Sequence, residues 1–336
     1  MLSLPRGRRL TGCLASAVLV APLALVLSAT TSSAASITVA ADGSGTHRSV
    51  QAAVSAASPG TTIKIKPGTY SGRVSIPSGK SGISLVGTTG RPEDVVITGS
   101  TPQSSSGAAG SATVLNLAKN TTIKAVTIAN TYGRGTQALA LYAGGDRQIY
   151  DTVRILGHQD TLLSWTGNSG SRVRQYVYNS YIEGDVDFIY GNGTLVIDRS
   201  TIYSLSRNSS NNGYITAGST YADNPYGILV NRSKVTGDAS AKSVALGRCW
   251  HAGGASNATG QVLFRESDLG EHIRQSSAWQ DMSGFSWKTC RFSEYANSGA
   301  GKSNGTSDRP QLSSSKAGDY TPQRYLAGSD GWNPVR

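Results

Sequence analysis

A weak internal repeat runs through most of this sequence and restricts the folds that the chain can adopt. In each copy, a short β-type run ends in an apolar residue that is flanked by polar ones, and Gly or Ser soon follows. The apolar residues of the six copies are Ile128, Ile155, Ile182, Ile202, Val235 and Leu269. They are separated by 27, 27, 20, 33 and 34 residues. A fixed core of roughly 20 residues with loops of variable length is typical of stacked coils of short strands.

The repeat therefore predicts an all-β solenoid, a parallel β-helix. A β-sandwich also contains short strands, but it predicts tight two-residue hairpin turns at regular spacing. The clearest turn candidates, Asp42-Gly43 and Asn212-Gly213, do not join two good strands. The solenoid is thus favoured, and the sandwich remains the alternative that periodicity alone leaves open.

One helix is predicted, from Ser49 to Ala57, at the start of the solenoid. Ser49 can cap it, four apolar residues share one face, and Pro59-Gly60 ends it. The remainder is predicted to be β. The stretch from Asn297 to Lys316 is rich in Ser and Gly, which indicates a loop or a loosely bound strap.

The first 35 residues have the features of an export signal. Three arginines lie within the first nine residues, and an apolar run from Leu14 to Leu27 is followed by small residues up to Ala35. The run is shorter than the roughly 20 apolar residues that a transmembrane helix needs. We therefore predict a signal peptide over residues 1–35, secretion without membrane attachment, and a single domain over residues 36–336. Arg8-Arg9 leaves general and twin-arginine export open.

The charge and the cysteines restrict the partners and the architecture further. The net charge is +11, and the three arginines of the leader leave +8 for residues 36–336. A basic exported protein attracts polyanions. Because Lys and Arg are scattered and no nucleic-acid motif is present, we expect an acidic polysaccharide and no nucleic acid. Only Cys249 and Cys290 follow the leader, so at most one disulfide forms and disulfides are not the framework of the fold.

Several kinds of active site are disfavoured. The one match to a nucleophilic serine elbow, Gly301–Gly305, lies in the Ser/Gly-rich stretch without a strand or a helix beside it. The four histidines are not at metal-ligand spacing. The segment Gly133–Ala138 loosely imitates a dinucleotide loop but opens no helix. We expect neither a metal nor a cofactor.

Two aspartates stand out among only 20 acidic residues. Asp187 lies in an apolar, strand-forming run, where a carboxylate is unfavourable to bury without a partner. Asp160 precedes it by 27 residues, which is the repeat spacing, and Ile155 and Ile182 precede the two aspartates by five residues each. In a solenoid this spacing places Asp160 and Asp187 on adjacent coils of one face.

Such a pair has a defined chemistry. Two neighbouring carboxylates do not readily ionise together, so that one pKa rises and its carboxyl can serve as an acid near neutral pH. Arg248 is the candidate cation that keeps the other ionised, and Trp250 beside it could stack on a sugar ring. Gln137 and Gln159 are candidate donors to an oxyanion. Each residue also has a purely structural interpretation, and their joint occurrence favours a site.

Several separated blocks of the chain resemble pectin methylesterases. Four ordered motifs carry the resemblance: Gln137–Leu141, Gln159–Leu162, Gly184–Gly191 and Leu246–Trp250. Together with blocks near both ends they span residues 37–334. The resemblance implies a right-handed parallel β-helix that hydrolyses the galacturonate methyl esters of pectin without a metal. We expect this enzyme to act as a monomer.

The resemblance also implies a role for each site residue. Asp187 would be the nucleophile that attacks the ester carbonyl. Asp160 would protonate the leaving methanol and then act as the base that activates water. Gln137 and Gln159 would line the oxyanion hole, and Arg248 would hold Asp187 ionised. The expected substrate contacts are Gln137, Val186, Arg248 and Trp250.

Four features depart from the family pattern. Cys249 stands where Pro is usual between the Arg and Trp of the fourth motif, and a bridge to Cys290 would fix that Trp instead. His158 replaces the usual aromatic before the Gln-Asp pair. Asp185, within the third motif and two residues before Asp187, adds a carboxylate where family members often have a neutral residue. Thr166–Gly170 looks like an insertion between the two aspartates, and it helps to produce the matching spacing of 27.

Two other classes of function stay open from the sequence. A β-helix lyase or polygalacturonase would act on the polymer backbone rather than on its esters. A non-catalytic homologue would only bind pectin. Methanol release without shortening of the polymer separates the esterase from both.

Overall fold

The computed structural model describes residues 36–336, so the predicted signal peptide lies outside the described residues. From residue 62 on, the chain winds into coils, and each coil adds a strand to sheet 1, then to sheet 2, then to sheet 3. Neighbouring strands within each sheet are parallel. The predicted parallel β-helix is confirmed.

Sheet 1 has ten strands, and sheets 2 and 3 have eight strands each. The strands of sheet 1 are Ser36–Val39, Thr62–Ile65, Ser84–Gly87, Thr122–Lys124, Gln148–Asp151, Arg174–Tyr178, Thr194–Asp198, Ile228–Asn231, Gln261–Arg265 and Arg291–Tyr295. The strands of sheet 2 are Gly68–Ser71, Val95–Gly99, Thr127–Asn130, Arg154–Leu156, Tyr181–Gly184, Thr201–Ser204, Lys234–Gly237 and Asp268–Leu269. The strands of sheet 3 are Val74–Ile76, Val114–Asn116, Leu141–Ala143, Leu162–Ser164, Val186–Gly191, Gly213–Gly218, Val244–Cys249 and Trp279–Gln280.

The repeat seen in the sequence is a buried ladder in sheet 2. Each of its apolar residues pairs directly with the next one, in the order Ile128, Ile155, Ile182, Ile202, Val235 and Leu269. All six are buried in the core between the three sheets. Burying each such side chain contributes about 1.5–3 kcal/mol, which fixes the register of the coils. The unequal spacings arise in loops outside this ladder.

In four copies of the repeat a serine stands two residues before the apolar residue, at Ser180, Ser200, Ser233 and Ser267. The corner between sheets 1 and 2 explains this recurrence. Just before each of these serines the backbone is left-handed, as at Asn179 with φ 48° and Arg199 with φ 48°. The serine hydroxyl then accepts a backbone N–H from the preceding coil: Ser180 N donates to Ser200 Oγ at 3.0 Å, and Ser200 N donates to Ser233 Oγ at 3.1 Å. Amides that the tight corner leaves without a sheet partner are thereby satisfied.

The predicted first helix is present and spans Val50–Ala56. The Ser49 hydroxyl caps it by accepting the Ala52 N–H at 3.2 Å. Val50, Ala53 and Val54 are buried in the main core, so the helix closes the N-terminal part of the solenoid.

Two further α-helices correct the expectation that the rest of the chain is β. Gln103–Ser111 has no apolar periodicity and is interrupted at Gly107, which has φ 67°, so the sequence pattern gives no helix signal. Pro322–Ala327 does have a start signal, a capping Thr321 followed by Pro, and it packs on the outer face of sheet 1. The 3-10 helices of the described part are Pro92–Asp94, Ala252–Gly254, Trp287–Thr289 and Ala317–Tyr320. None of the helices within residues 36–336 is long and apolar enough to cross a membrane.

The stretch from Asn297 to Lys316 is irregular, as predicted, but it is not loosely bound. Its Arg309 is 1% exposed and donates to the Glu294 carboxylate, from Nε at 2.7 Å and from Nη2 at 2.6 Å. Arg309 Nη1 also donates to the Gly301 carbonyl at 2.9 Å. The buried ion pair and a parallel backbone bridge between Glu294 and Gln311 therefore hold the strap to the last strand of sheet 1. An ion pair away from water must keep both partners.

Candidate active site

The structure brings Asp160 and Asp187 together on adjacent coils. In sheet 3, Leu162 pairs with Ile189, which places the two aspartates opposite each other two residues earlier. The Asp160 N–H donates to the Val186 carbonyl at 3.1 Å, which joins the two coils at this point. The adjacency expected from the spacing is therefore observed.

The suspected insertion does not disturb this arrangement. Thr166–Gly170 lies in the loop between the strands Leu162–Ser164 and Arg174–Tyr178. Parallel pairing continues on both sides of the loop, where Leu162 pairs with Ile189 and Arg174 pairs with Thr194. Extra residues in this loop leave the strand register unchanged, because they project away from the paired segments.

Both aspartates have a left-handed backbone, with φ 65° at Asp160 and φ 47° at Asp187. Around Asp187 the register against the next strand shifts between Val186 and Ile189. This bulge leaves Phe188 and Ile189 in the interior core. Left-handed residues other than glycine recur at the coil corners of this solenoid, as at Asn179 and Arg199, and at the two aspartates this conformation sets the direction of the carboxyl side chains.

A cavity of about 310 Å³ lies over sheet 3 at this point. Asp160 and Gln137 supply polar groups to its wall, and the aromatic part of the wall consists of Tyr142, Trp165, Tyr190 and Trp250. The ring centroid of Trp250 lies 6.0 Å from that of Trp165 and 5.6 Å from that of Tyr190. Aromatic faces with a few polar groups between them suit the apolar faces of sugar rings.

Arg248 binds Asp187 through two nitrogens. Its Nε lies 2.9 Å from Oδ1 and 3.1 Å from Oδ2 of Asp187, and its Nη2 also donates to Oδ2. The guanidinium lies over the ring of Tyr214, 4.3 Å from the centroid. A forked, charge-assisted contact of this kind both orients a carboxylate and favours its ionised form.

The two carboxyls are electrostatically unequal. Burial and then the negative charge of Asp187 raise the pKa of Asp160 to about 8, while Tyr190, Arg248 and Gln137 act in the opposite direction. Burial also raises the pKa of Asp187, but its hydrogen bonds with Arg248 and the charge of that guanidinium counter the effect. Since Arg248 hydrogen-bonds Asp187, the pair near neutral pH holds its proton on Asp160 and its charge on Asp187.

The two glutamines lie on neighbouring coils. Gln137 and Gln159 form a parallel bridge, and the Ala138 N–H donates to the Gln159 carbonyl at 3.1 Å. Gln137 lines the cavity, whereas Gln159 and Val186 are half-buried beside the aspartates and do not line it. Oxyanion contacts for the glutamines and a substrate contact for Val186 therefore stay predictions.

The extra carboxylate, Asp185, is almost fully buried and has two basic neighbours. Its Oδ2 lies 3.5 Å from His158 Nδ1 and 3.6 Å from Arg134 Nε. The Asp185 N–H also donates to the His158 carbonyl at 3.2 Å. Two departures from the family pattern, His158 and Asp185, thus lie in contact. Arg134, which no sequence signal singled out, links them to the loop that leads to Gln137.

Cys249 and Cys290 are joined in a disulfide, with their Cα atoms 6.0 Å apart. The bond anchors the end of the strand Val244–Cys249, and Trp250 is the next residue. The bridge therefore holds the backbone beside the cavity, where the family pattern has a proline.

In protein without the leader, thiol titration after denaturation but without reduction is expected to find no free thiol. Two free thiols would contradict the bridge, and the reduced sample is the positive control.

Because the bond closes a loop of 41 residues, the Cys249→Ala/Cys290→Ala variant should lose roughly 2–4 kcal/mol of unfolding free energy, measured by denaturant titration.

The sequence reasoning missed most of the aromatic wall. Trp165 directly follows the strand Leu162–Ser164 and lies two residues after Leu163, and Tyr190 pairs with Leu163 on the next coil. Applying the two-residue periodicity of strands beyond Asp160 would have found Trp165. Tyr142 pairs with Leu163 from the preceding coil, so the coil register would have found it as well. The Gln103–Ser111 helix had no comparable signal, because its placement over the site depends on loop conformation.

Comparisons with known proteins identify the family of the chain. The sequence profile of the Pectinesterase family matches residues 36–329. A pectinesterase of Ralstonia solanacearum is 35% identical in an alignment covering 80% of this chain and 81% of the relative. Pectinesterase B of Dickeya dadantii is 32% identical over 70% of this chain and 68% of the relative.

Solved structures show the same fold. The pectin methylesterase PemA from Erwinia chrysanthemi superposes with a TM-score of 0.77 at 28% identity, covering 90% of this chain and 98% of PemA. The pectin methylesterase from carrot gives a TM-score of 0.75 at 30% identity, covering 87% of this chain and 93% of the carrot protein. With a parallel β-helix, two adjacent aspartates and a family profile over nearly all described residues, this chain belongs to the pectinesterase family.

Proposed function

We propose that this protein hydrolyses the methyl esters of galacturonate units in pectin, with Asp187 as the nucleophile. The observation that carries the proposal is the pairing of an Arg248-bound carboxylate, Asp187, with a neighbouring carboxyl whose pKa is raised, Asp160. A related pectin methylesterase has been solved with a bound hexasaccharide, and it matches this chain with a TM-score of 0.77 at 29% identity. The aromatic cavity beside Asp160 is a suitable place for such a sugar chain.

In the first half of the reaction, Asp187 attacks the ester carbonyl and a tetrahedral oxyanion forms. The side-chain amides of Gln137 and Gln159 are the proposed donors to this oxyanion, and donors of this kind lower the barrier because they stabilise the charge that develops. Asp160 gives its proton to the methoxy oxygen, and methanol leaves. The galacturonyl group is then bound to Asp187 as an acyl-enzyme.

In the second half, water cleaves the acyl-enzyme. Asp160, now ionised, takes a proton from the water that attacks the acyl carbon. The bond to Asp187 breaks, the galacturonic acid group leaves and loses the second proton of the water to solvent, and Asp160 is again protonated. Arg248 favours this step because it stabilises the Asp187 carboxylate as the leaving group.

The export of the protein, its domain boundaries and its oligomeric state are proposed from the sequence. An export signal over residues 1–35 would deliver a single domain of residues 36–336 to the outside of the cell, where pectin occurs. The charge of +8 on that domain favours encounter with a polyanion. We propose a monomer that needs no cofactor.

The test is methanol release from methylated pectin, measured together with the size of the polymer. Methanol should appear while the chain length stays constant. Shortened polymer would identify a lyase or a polygalacturonase instead. Binding of pectin with no product of either kind, across pH 5 to 9, would identify a non-catalytic homologue.

The rate is expected to fall as the pH rises past about 8, because Asp160 must be protonated to release methanol and has a pKa of about 8. The high-pH limb of kcat/KM should decline about tenfold per pH unit, since it reports an essential acid in the free enzyme. Circular dichroism at each pH serves as the control for unfolding. A flat kcat/KM up to pH 10 would mean that Asp160 is not the acid.

A further inference from the structure

Tyr190 carries a buried hydroxyl that no structural hydrogen bond of the fold satisfies. The residue is 5% exposed, its hydroxyl makes no hydrogen bond of regular geometry within residues 36–336, and the group that it faces is the Asp160 carboxyl. Leaving such a group unsatisfied is energetically unfavourable. A buried hydroxyl without a structural partner is therefore expected to interact with something that enters the site or changes during the reaction.

The position of Tyr190 restricts the groups with which its hydroxyl can interact to those around the cavity. Its side chain lines the cavity that Asp160 also lines, and its ring packs against Trp250 with centroids 5.6 Å apart. Its backbone is fixed by pairing with Leu163, three residues after Asp160, and it follows Asp187 by three residues. The hydroxyl is thus held rigidly next to the reacting carboxyls.

We propose that Tyr190 is a catalytic residue whose hydroxyl donates a hydrogen bond to Asp160 while Asp160 acts as the base on the acyl-enzyme. This inference rests on the proposed function, in which Asp160 alternates between acid and base. It gives the unpartnered hydroxyl a role in the half-reaction in which Asp160 carries charge.

The surroundings of Asp160 explain why a donor is needed there. The groups that face it are Asp187 and Tyr190 from its neighbouring strand, Arg248 from a third strand and Gln137 from the preceding coil. Once methanol has left, the negative charge sits on Asp160 in a mostly apolar cavity, while Asp187 is neutral as a mixed anhydride with the galacturonyl group. A hydrogen bond from a phenol stabilises that charge directly.

Tyr190 is suited to donate and not to exchange its proton. Burial and the charge of Asp160 raise the pKa of Tyr190 well above its ordinary value, so that the hydroxyl keeps its proton throughout. In the balanced sequence, the Asp160 proton leaves with methanol, and the proton that Asp160 regains comes from water. The phenol contributes only a hydrogen bond that strengthens when Asp160 ionises.

The test is Tyr190→Phe, which removes the oxygen and keeps the ring against Trp250. We expect kcat to fall roughly tenfold, as for the loss of one hydrogen bond to a charged group, with KM little changed. Because hydrolysis of the acyl-enzyme becomes limiting, rapid mixing should show a burst of one methanol per enzyme. The pH profile should move to higher pH, since Asp160 loses a group that favours its ionised form.

Two sets of results would contradict the proposed role of Tyr190. Wild-type kcat, no burst and an unmoved pH profile would show that Tyr190 only packs. A lower kcat without a burst or a shifted profile would place the hydroxyl in substrate binding or in methanol release, which also overturns the inference. Tyr176→Phe is the matched control, because Tyr176 is a buried tyrosine that hydrogen-bonds Asp198 at 2.9 Å on sheet 1, away from the cavity. It should lose stability and keep kcat.

A second measurement does not depend on turnover. The infrared band of the protonated Asp160 carboxyl, assigned by its loss in Asp160→Asn, should titrate at higher pH in Tyr190→Phe than in wild type. An unmoved titration rejects the hydrogen bond even if the protein is a working esterase. Absence of methanol release from wild type together with a moved titration rejects the proposed function but leaves the contact in place.

Discussion

Replacing Asp187 with Asn is expected to abolish nearly all methanol release, with kcat lower by at least about 10⁴-fold, as when a catalytic nucleophile is removed. The amide is almost the same size as the carboxylate but cannot attack the ester. It also loses the charge that Arg248 binds through two nitrogens. Initial rates of methanol formation from methylated pectin at pH 7 measure the effect.

The controls separate chemistry from folding. Asp94→Asn alters a surface aspartate in a short 3-10 helix and should leave kcat unchanged. Asp160→Asn should also lose methanol release, because no acid then serves the leaving group. If Asp187→Asn keeps a substantial part of the wild-type rate while Asp160→Asn does not, another group is the nucleophile.

Replacing Arg309 with Met is expected to lower the free energy of unfolding by roughly 3–5 kcal/mol, because it leaves the Glu294 charge buried without a partner. Both side chains of this pair are 0% exposed. The strap from Asn297 to Lys316 loses its side-chain contact with the last strand of sheet 1 at the same time, and the Gly301 carbonyl within the strap loses its Arg309 donor. Denaturant titration followed by tryptophan fluorescence measures the loss.

Two further variants test the reason for this loss. Lys302→Ala removes an exposed cation from the same strap and should change stability by no more than about 0.5 kcal/mol. Glu294→Leu in the Arg309→Met background removes the unpaired charge and should restore most of the stability. If the double variant is as unstable as Arg309→Met, the strap needs the hydrogen bonds of Arg309 rather than its charge balance.

Three of the departures from the family pattern, Cys249, His158 and Asp185, lie beside the site residues. The disulfide between Cys249 and Cys290 fixes the backbone before Trp250, while Asp185 with His158 and Arg134 connects three segments next to the aspartates. Both arrangements restrain chain segments that carry site residues. Precise positioning of this kind is what catalysis by fixed donors and carboxylates requires.

Much of the fold could be read from the sequence, because the solenoid repeats one local pattern. Ile155 and Ile182 belong to the buried ladder that the repeat predicted, and the first helix begins at its Ser49 cap. The Gln103–Ser111 helix could not be predicted, since its polar and small residues have no periodicity. The strap was expected to be loose because its composition does not show that one arginine, Arg309, is buried.

For the site, the sequence determined which two carboxylates meet. Their spacing follows the coil repeat, and strand pairing converts equal spacing into contact at Asp160 and Asp187. Only the tertiary structure decided how they differ, because burial, the reach of Arg248 from another strand and the aromatic wall with Tyr190 depend on coils far apart in the chain. Local sequence sets the register of a solenoid, whereas the pKa of a carboxyl depends on every group that surrounds it in space.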